Sequence, residues 1–150
     1  ESRGLGDVYK RQLHDSSLSA AVHSIVACAL GNREQAYSYL KQSARLDLDD
    51  VNGNTGAGLH AACMGGSWML LINGYAGLRI YEGKLHFAPQ LHDAWKSYTF
   101  KVHYRDCLLQ VRVEKENTYY RLLRGEHLCI YHNGNILEVS NTEIEVANAE

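Results

Sequence analysis

The stretch AGLRIYEGKLHFAP, residues 76–89, decides how this chain is to be read. Two short apolar runs, 78–81 and 84–87, flank Glu82-Gly83 as the arms of a hairpin flank a two-residue turn, and Pro89 then breaks the pattern. Before this stretch apolar residues recur at helical spacing; after it that spacing does not return. A helical part is therefore expected to give way to a β part, with the boundary between Leu78 and Trp95.

On the helical side, Leu18, Ala21, Val22, Ile25, Val26, Ala29 and Leu30 mark one helix, and Gly31 falls where a left-handed C-cap would end it. Asn32 and Gln35 suit the start of a second helix, with Ala36, Tyr37, Leu40 and Ala44 along one face, so the two form an antiparallel pair. An acidic, Gly- and Asn-rich stretch, 47–56, precedes a third helical run whose face carries His60, Met64, Trp68, Leu71 and Tyr75. Gly65 and Gly66 lie inside that run, where each is about 1 kcal/mol less favourable than Ala. Something is expected to approach the backbone closely there.

On the β side, residues 98–104, 107–114, 118–123, 127–132 and 136–140 are β-branched and aromatic runs. Turn signals at Arg105-Asp106, Gly125 and Asn133-Gly134-Asn135 separate them, and a small antiparallel sandwich is expected.

Composition narrows the partners without naming a function. With 45% hydrophobic and 21% charged residues the chain is in the globular range. Its net charge of -2, spread without a basic stripe, argues against nucleic acid or an anionic membrane as a partner. Cys28, Cys63, Cys107 and Cys129 lack CxxC spacing, which reads as reduced thiols and no structural zinc. A cytoplasmic, soluble protein is the expectation, since no apolar run of about 18 residues and no signal-peptide order is present. Residues 2–12, SRGLGDVYKRQ, resemble the translation of a sequencing adapter, so 1–12 are set aside as an adapter-like, non-native tail; a natural flexible tail is the alternative.

Two segments could carry chemistry. His14-Asp15-Ser16-Ser17-Leu18-Ser19 puts two hydroxyls at a helix start, where free backbone N–H groups and the positive dipole end favour an anion. Plain N-capping by Asp15 or Ser16 accounts for the same residues. In Asn54-Thr55-Gly56-Ala57-Gly58-Leu59-His60, a histidine near a helix start faces the same way as Gly65 and Gly66, so its ring could reach a ligand oxygen. A satisfied structural histidine and close helix packing at the glycines remain the alternatives.

Taken in order, HDSSLS followed by NTxxGLHxAxxGGxW resembles the last part of the catalytic barrel of the glycoside hydrolase family 65 phosphorylases. Residues 78–95, LRIYEGKLHFAPQLHDAW, resemble the stretch leading into that family's C-terminal β-sandwich. The resemblance implies a mixed α and β chain: the C-terminal helices of an α/α barrel of six hairpins over residues 13–88, then a small antiparallel β-sandwich over 89–150. It further implies that Ser16, Ser17 and His60 hold inorganic phosphate, that Gly65 and Gly66 let the backbone come near it, and that His14 and Asp15 support that loop. Gly56-Ala57-Gly58 departs from the family pattern, in which many members carry an acidic residue before the last glycine, and this puts sugar contacts in that loop in doubt.

The activity implied is inverting phosphorolysis of an α-linked glucose disaccharide, of maltose type, to β-glucose 1-phosphate and glucose. Inorganic phosphate is then a substrate, no cofactor or metal is needed, the partners are the disaccharide and phosphate, and a homodimer is expected by analogy. Where an inverting hydrolase uses a carboxylate to activate water, phosphate is already the nucleophile. The family's acid is a glutamate upstream of His14, so no catalytic residue is assigned in this chain, and the segment alone is expected to be inactive. The remaining carboxylates, including Glu34, Asp47, Asp49, Asp50, Glu114, Glu116, Glu143 and Glu145, read as solvated helix, loop, strand-edge or tail charges. Two other readings stay open: a trehalose- or kojibiose-cleaving hydrolase of the same family, or a β module that serves only structure or interaction.

Overall fold

A computed structural model describes residues 16–51 and 53–148; the adapter-like string, His14 and Asp15 lie outside them. The chain divides into two compact units between Gly74 and Tyr75, ahead of the hairpin that opens the β part.

The first unit holds α1 (Ser19–Ala29), α2 (Arg33–Ala44) and α3 (Ala61–Met69). Gly31 ends α1 with φ +71°, and the paired bonds from its N–H to the Cys28 carbonyl and from the Asn32 N–H to the Ala27 carbonyl make a Schellman motif. Asn32 then starts α2, its side chain accepting the Gln35 N–H at 3.2 Å. With only Leu30, Gly31 and Asn32 between them, the two helices run back to back. Ser24 Oγ ties them by donating to the Ala36 carbonyl at 2.8 Å.

Small side chains fill the contacts within this unit. Ala20, Ala21, Ser24, Ala27 and Cys28 of α1 are buried, as are Ala36 and Ser43 of α2 and Cys63 of α3. The apolar face expected for α1 is thus rotated: Leu18, Val22, Val26 and Leu30 are between 45% and 79% exposed. Small residues allow backbones to approach, and the large ones are turned away from the contact.

The third helical run is also not one regular helix. After Met69 it widens into a π-helical segment, Leu70–Tyr75, which shifts the side-chain positions around the axis. Leu70, Ile72 and Tyr75 are buried, while Met64 and Trp68, on the expected face, are 52% and 54% exposed.

The second unit is a two-sheet sandwich. Strands β1 (Arg79–Tyr81), β2 (Lys84–Phe87), β6 (Leu128–His132) and β7 (Asn135–Val139) form one sheet in the order β1-β2-β6-β7. Strands β3 (Ser97–Tyr104), β4 (Cys107–Glu114), β5 (Asn117–Arg124) and β8 (Ile144–Ala147) form the other, in the order β3-β4-β5-β8. Glu82 and Gly83, both at positive φ, close β1 onto β2, and Asn133-Gly134 closes β6 onto β7 the same way. Gly77 is required by its surroundings: at φ +61°, a Cβ there would stand 2.6 Å from the Ala88 carbonyl oxygen.

Two expectations for this unit need correction. The sandwich is not wholly antiparallel, because β2 pairs with β6 in parallel, Leu85 opposite Ile130 and Phe87 opposite His132. Three strands of the opposite sheet, β3 to β5, lie between β2 and β6 in sequence, and that long excursion lets the chain return in the same direction. Strand β8 was not expected at all. It alternates Ile144 and Val146, packed against the core, with the exposed Glu145 and Ala147, and Glu143 immediately precedes it. Those two carboxylates, read as edge or tail charges, take specific partners: Glu143 accepts from Arg112 at 3.0 Å and Glu145 from the Tyr119 hydroxyl at 3.2 Å. Arg112 also pairs with Glu114 and lies over the Tyr119 ring, 3.9 Å from its centroid.

The core lies between the sheets, with Leu85, Phe87, Ile130 and Val139 of one meeting Leu109, Val111, Val113, Tyr120 and Leu122 of the other. One polar pair enters it. The Tyr120 hydroxyl sits 2.8 Å from His132 Nδ1, and His132 Nε2 lies 2.9 Å from the Ala147 carbonyl oxygen. Burial holds the His132 ring below its ordinary pKa and pushes the Tyr120 phenol above its own.

Candidate functional site

Ser16 and Ser17 stand in the turn that leads into α1, with the Ser16 carbonyl accepting the Ser19 N–H at 3.1 Å. The N-cap of α1 is Leu18, and no side chain caps the helix. Among the described residues the Ser16 hydroxyl makes no bond to the first turn, and capping by Asp15 lies outside them. Ser16 is exposed and Ser17 half-buried.

His60 occupies the N-cap position of α3 but does not cap it with its ring. Instead the ring and the backbone of His60 both bind Asp47, thirteen residues earlier. The His60 N–H donates to Asp47 Oδ2 at 2.8 Å, and Nδ1 lies 2.5 Å from Oδ1. A carboxylate only accepts, so Nδ1 carries the hydrogen and Nε2 is the ring nitrogen left over. The hydrogen bond from the His60 ring, joined by that from its backbone, holds the Asp47 carboxyl below the usual carboxylate range.

Asp47 is accordingly not the solvated loop charge expected of it. Its side chain is 10% exposed, and it is the residue of this site that sequence reasoning missed. No spacing rule links an aspartate to a histidine thirteen positions on, across an irregular loop. Its neighbours organise the same loop: Asp50 Oδ1 accepts the Thr55 N–H at 3.0 Å, and Asp49 pairs with Arg45 one helical turn back.

Gly65 and Gly66 turn out to differ. A Cβ on Gly66 would come within 3.2 Å of Ala21 Cβ, so this glycine seats α3 against the first turns of α1. Among the described residues a Cβ on Gly65 would meet nothing within 4 Å, which leaves open space beside its backbone. The Ala21–Gly66 contact brings together the helix that follows the serines and the helix that follows His60. The serines and His60 share no hydrogen bond among the described residues.

Beside Asp47 lies a cavity of about 390 Å³ lined by Ser43, Leu46, Leu48, Leu59, Cys63, Met64 and Ser67, with Ala44 at its edge. Ser43 Oγ and Ser67 Oγ bond at 2.9 Å across its wall, which joins α2 to α3. Among the described residues no cluster of three or more His, Cys, Asp or Glu side chains is placed to hold a metal ion, and no helix is long and apolar enough to cross a membrane.

Comparison with known proteins places this geometry. Residues 6–69 match the family model described as the glycosyl hydrolase family 65 central catalytic domain, a match that begins within the adapter-like string. Residues 78–139 match the glycosyl hydrolase family 65 C-terminal domain. Among curated proteins, the chain is 48% identical to an α,α-trehalose phosphorylase of Geobacillus stearothermophilus, over 78% of this chain and 15% of that protein. It is 39% identical to a maltose phosphorylase of Bacillus subtilis (strain 168), over 84% of this chain and 17% of that one. A solved structure provisionally described as a kojibiose phosphorylase from the human microbiome matches with a TM-score of 0.85 and 34% identity, covering 91% of this chain and 19% of that chain. The chain thus spans less than a fifth of the length of these relatives. With its helical unit matched to the central catalytic domain and its sandwich to the C-terminal domain, the chain belongs to glycoside hydrolase family 65.

Proposed function

We propose that this chain carries the phosphate-binding side of an inverting disaccharide phosphorylase, with Ser16, Ser17 and His60 as the phosphate ligands. One observation carries the reading most directly: Asp47 holds the His60 ring at the start of α3, while the helix after the serines packs, through Ala21, on Gly66 of the same α3. Each helix N-terminus carries the positive end of a dipole, and among the described residues neither N-cap residue caps its helix with its side chain. Gly65, open on its free side, gives an anion room beside the backbone. His14 and Asp15 would support the serine loop from their place beside it in the chain.

Phosphate held there would attack the anomeric carbon of an α-linked glucosyl unit on the face opposite the leaving sugar. The bond to the leaving oxygen breaks, and the product is β-glucose 1-phosphate. Such a reaction needs no base to activate water, and Asp47 is unsuited to that task because both its oxygens are engaged by His60. The acid that protonates the leaving sugar, and the α/α barrel around it, would be supplied by the rest of the complete protein. No cofactor enters the reaction; inorganic phosphate is a substrate.

On the linkage, the α,α-trehalose type is favoured over the maltose type read from the sequence, since the trehalose phosphorylase of Geobacillus stearothermophilus is 48% identical and the maltose phosphorylase 39%. The test is to incubate the complete protein with trehalose, maltose and kojibiose, with and without phosphate. Phosphate-dependent formation of β-glucose 1-phosphate, trehalose being the best substrate, is the expected result. Free glucose released at the same rate without phosphate would overturn the reading.

A further inference from the structure

We infer that Asp47 is a positioning residue for phosphate, fixing the His60 ring in one tautomer and one orientation so that Nε2, left as an acceptor, takes the O–H hydrogen of hydrogen phosphate; this rests on the phosphorylase reading above. The two Asp47 oxygens divide their work. Oδ2 takes the backbone N–H of His60 at 2.8 Å, which fixes where α3 begins, and Oδ1 takes the ring at Nδ1 at 2.5 Å, which fixes how the side chain turns. Tying the loop to the helix requires only the first bond. The second acts on the ring, whose Nε2 takes part in no hydrogen bond among the described residues.

The surroundings sharpen this. Asp47 is 10% exposed, with Leu46, Leu48, Leu59 and Met64 among the walls of the cavity it borders, whereas His60 keeps 23% of its side chain open. The carboxylate is sheltered from competing water, so its hydrogen bonds hold the ring more firmly than they would at the surface. The ring retains an accessible edge. An imidazole that already donates through one nitrogen and is pinned at its backbone loses little freedom when a ligand binds the other.

Asparagine cannot replace this carboxylate. Its single oxygen could serve the ring or the backbone N–H but not both, and its NH₂ would then face a donor. Asp47→Asn in the complete protein is therefore expected to raise the KM for phosphate by about tenfold or more while leaving the KM for the disaccharide within about twofold. Asp47→Glu, which keeps two accepting oxygens, should recover part of the loss. Nitrogen-15 spectra of the histidine rings, recorded without phosphate, should show Nδ1 of His60 carrying the hydrogen in the wild type and a mixture of tautomers in Asp47→Asn. An unprotonated Nδ1 in the wild-type spectrum overturns the proposal, whatever becomes of the variants. So does an unchanged phosphate KM in Asp47→Asn when His60→Ala raises it. If His60→Ala itself leaves the phosphate KM unchanged, the phosphate site is misassigned and the proposal goes with it.

Discussion

The two units of this chain bury different kinds of side chain. In the sandwich, Leu109, Val111, Val113, Tyr120 and Ile130 are all at 0% exposure, and large side chains of both sheets interlock. In the helical unit the buried residues of α1 are Ala20, Ala21, Ser24, Ala27 and Cys28, while Val22, Val26 and Leu30 stand at least half open to solvent. The sandwich has a core of its own. Among the described residues of the helical unit the buried large apolar side chains are Leu46, Leu70 and Ile72, fewer than in the sandwich, and it is the apolar area removed from water that supplies most of the stabilisation. The difference teaches that the unit carrying the site residues is the less self-sufficient one. An apolar stripe on α1, made of Leu18, Val22, Val26 and Leu30, stands exposed.

The sharpest way to break that contrast is to cut one large side chain in each unit. Leu109→Ala should lower the stability of the sandwich by about 2–5 kcal/mol, through lost burial and the cavity left behind. Val22→Ala, on the open stripe of α1, should change the stability of this chain by less than about 0.5 kcal/mol. Urea unfolding followed by circular dichroism reads both. Equal losses would mean that the α1 stripe is covered in solution.

A smaller effect is expected where α1 meets α2. Ser24→Ala removes the buried bond to the Ala36 carbonyl and should destabilise the helical unit by about 1 kcal/mol. If the loss is negligible, the small-residue interface does not depend on that hydrogen bond.

The sandwich should also respond to pH through His132. The buried ring has a pKa depressed below its ordinary value, so the unfolded chain takes up its proton first as the pH falls. The stability that His132 contributes is therefore fully present above about pH 6.5 and is lost as the pH falls from there through the lowered folded value. Thermal unfolding between pH 7.5 and 5.5 should show this decline, and His132→Gln should flatten it.

The smallest effect separates the two glycines of α3. Gly65→Ala has open space for the methyl group and should stabilise the helix by about 0.5–1 kcal/mol. Gly66→Ala must push on Ala21 and should gain nothing. Melting temperatures of the two variants check the pair, and weaker phosphate binding by Gly65→Ala in the complete protein would show that an anion uses that space.

Much of the β unit was legible in the sequence because its signals are local. Glu82-Gly83 and Asn133-Gly134 are turn pairs whose backbone demands can be met by those residues without reference to the rest of the fold, and the β runs between turns fall close to the observed strands. Strand β8 escaped because Ile144 and Val146 alternate with glutamates over only four residues, too short a pattern to stand apart from a charged tail. The same locality explains the helix ends: Gly31 and Asn32 declare the break between α1 and α2 within two residues.

Long-range choices were not legible. Helical spacing marks apolar positions but does not say which of them meet a neighbour. Only packing showed that Ala21, not Val22, is the contact, and that Gly66 is needed for it while Gly65 is not. The site divides along the same line. Ser16, Ser17 and His60 were named from their residue types, their places at helix starts and a family resemblance, all of which lie within short stretches of chain. Asp47 was not, because a carboxylate in an acidic loop looks the same in sequence whether it is solvated or turned inward. Only the fold, by closing thirteen residues of irregular chain so that both Asp47 oxygens meet His60, decided which of the two it is.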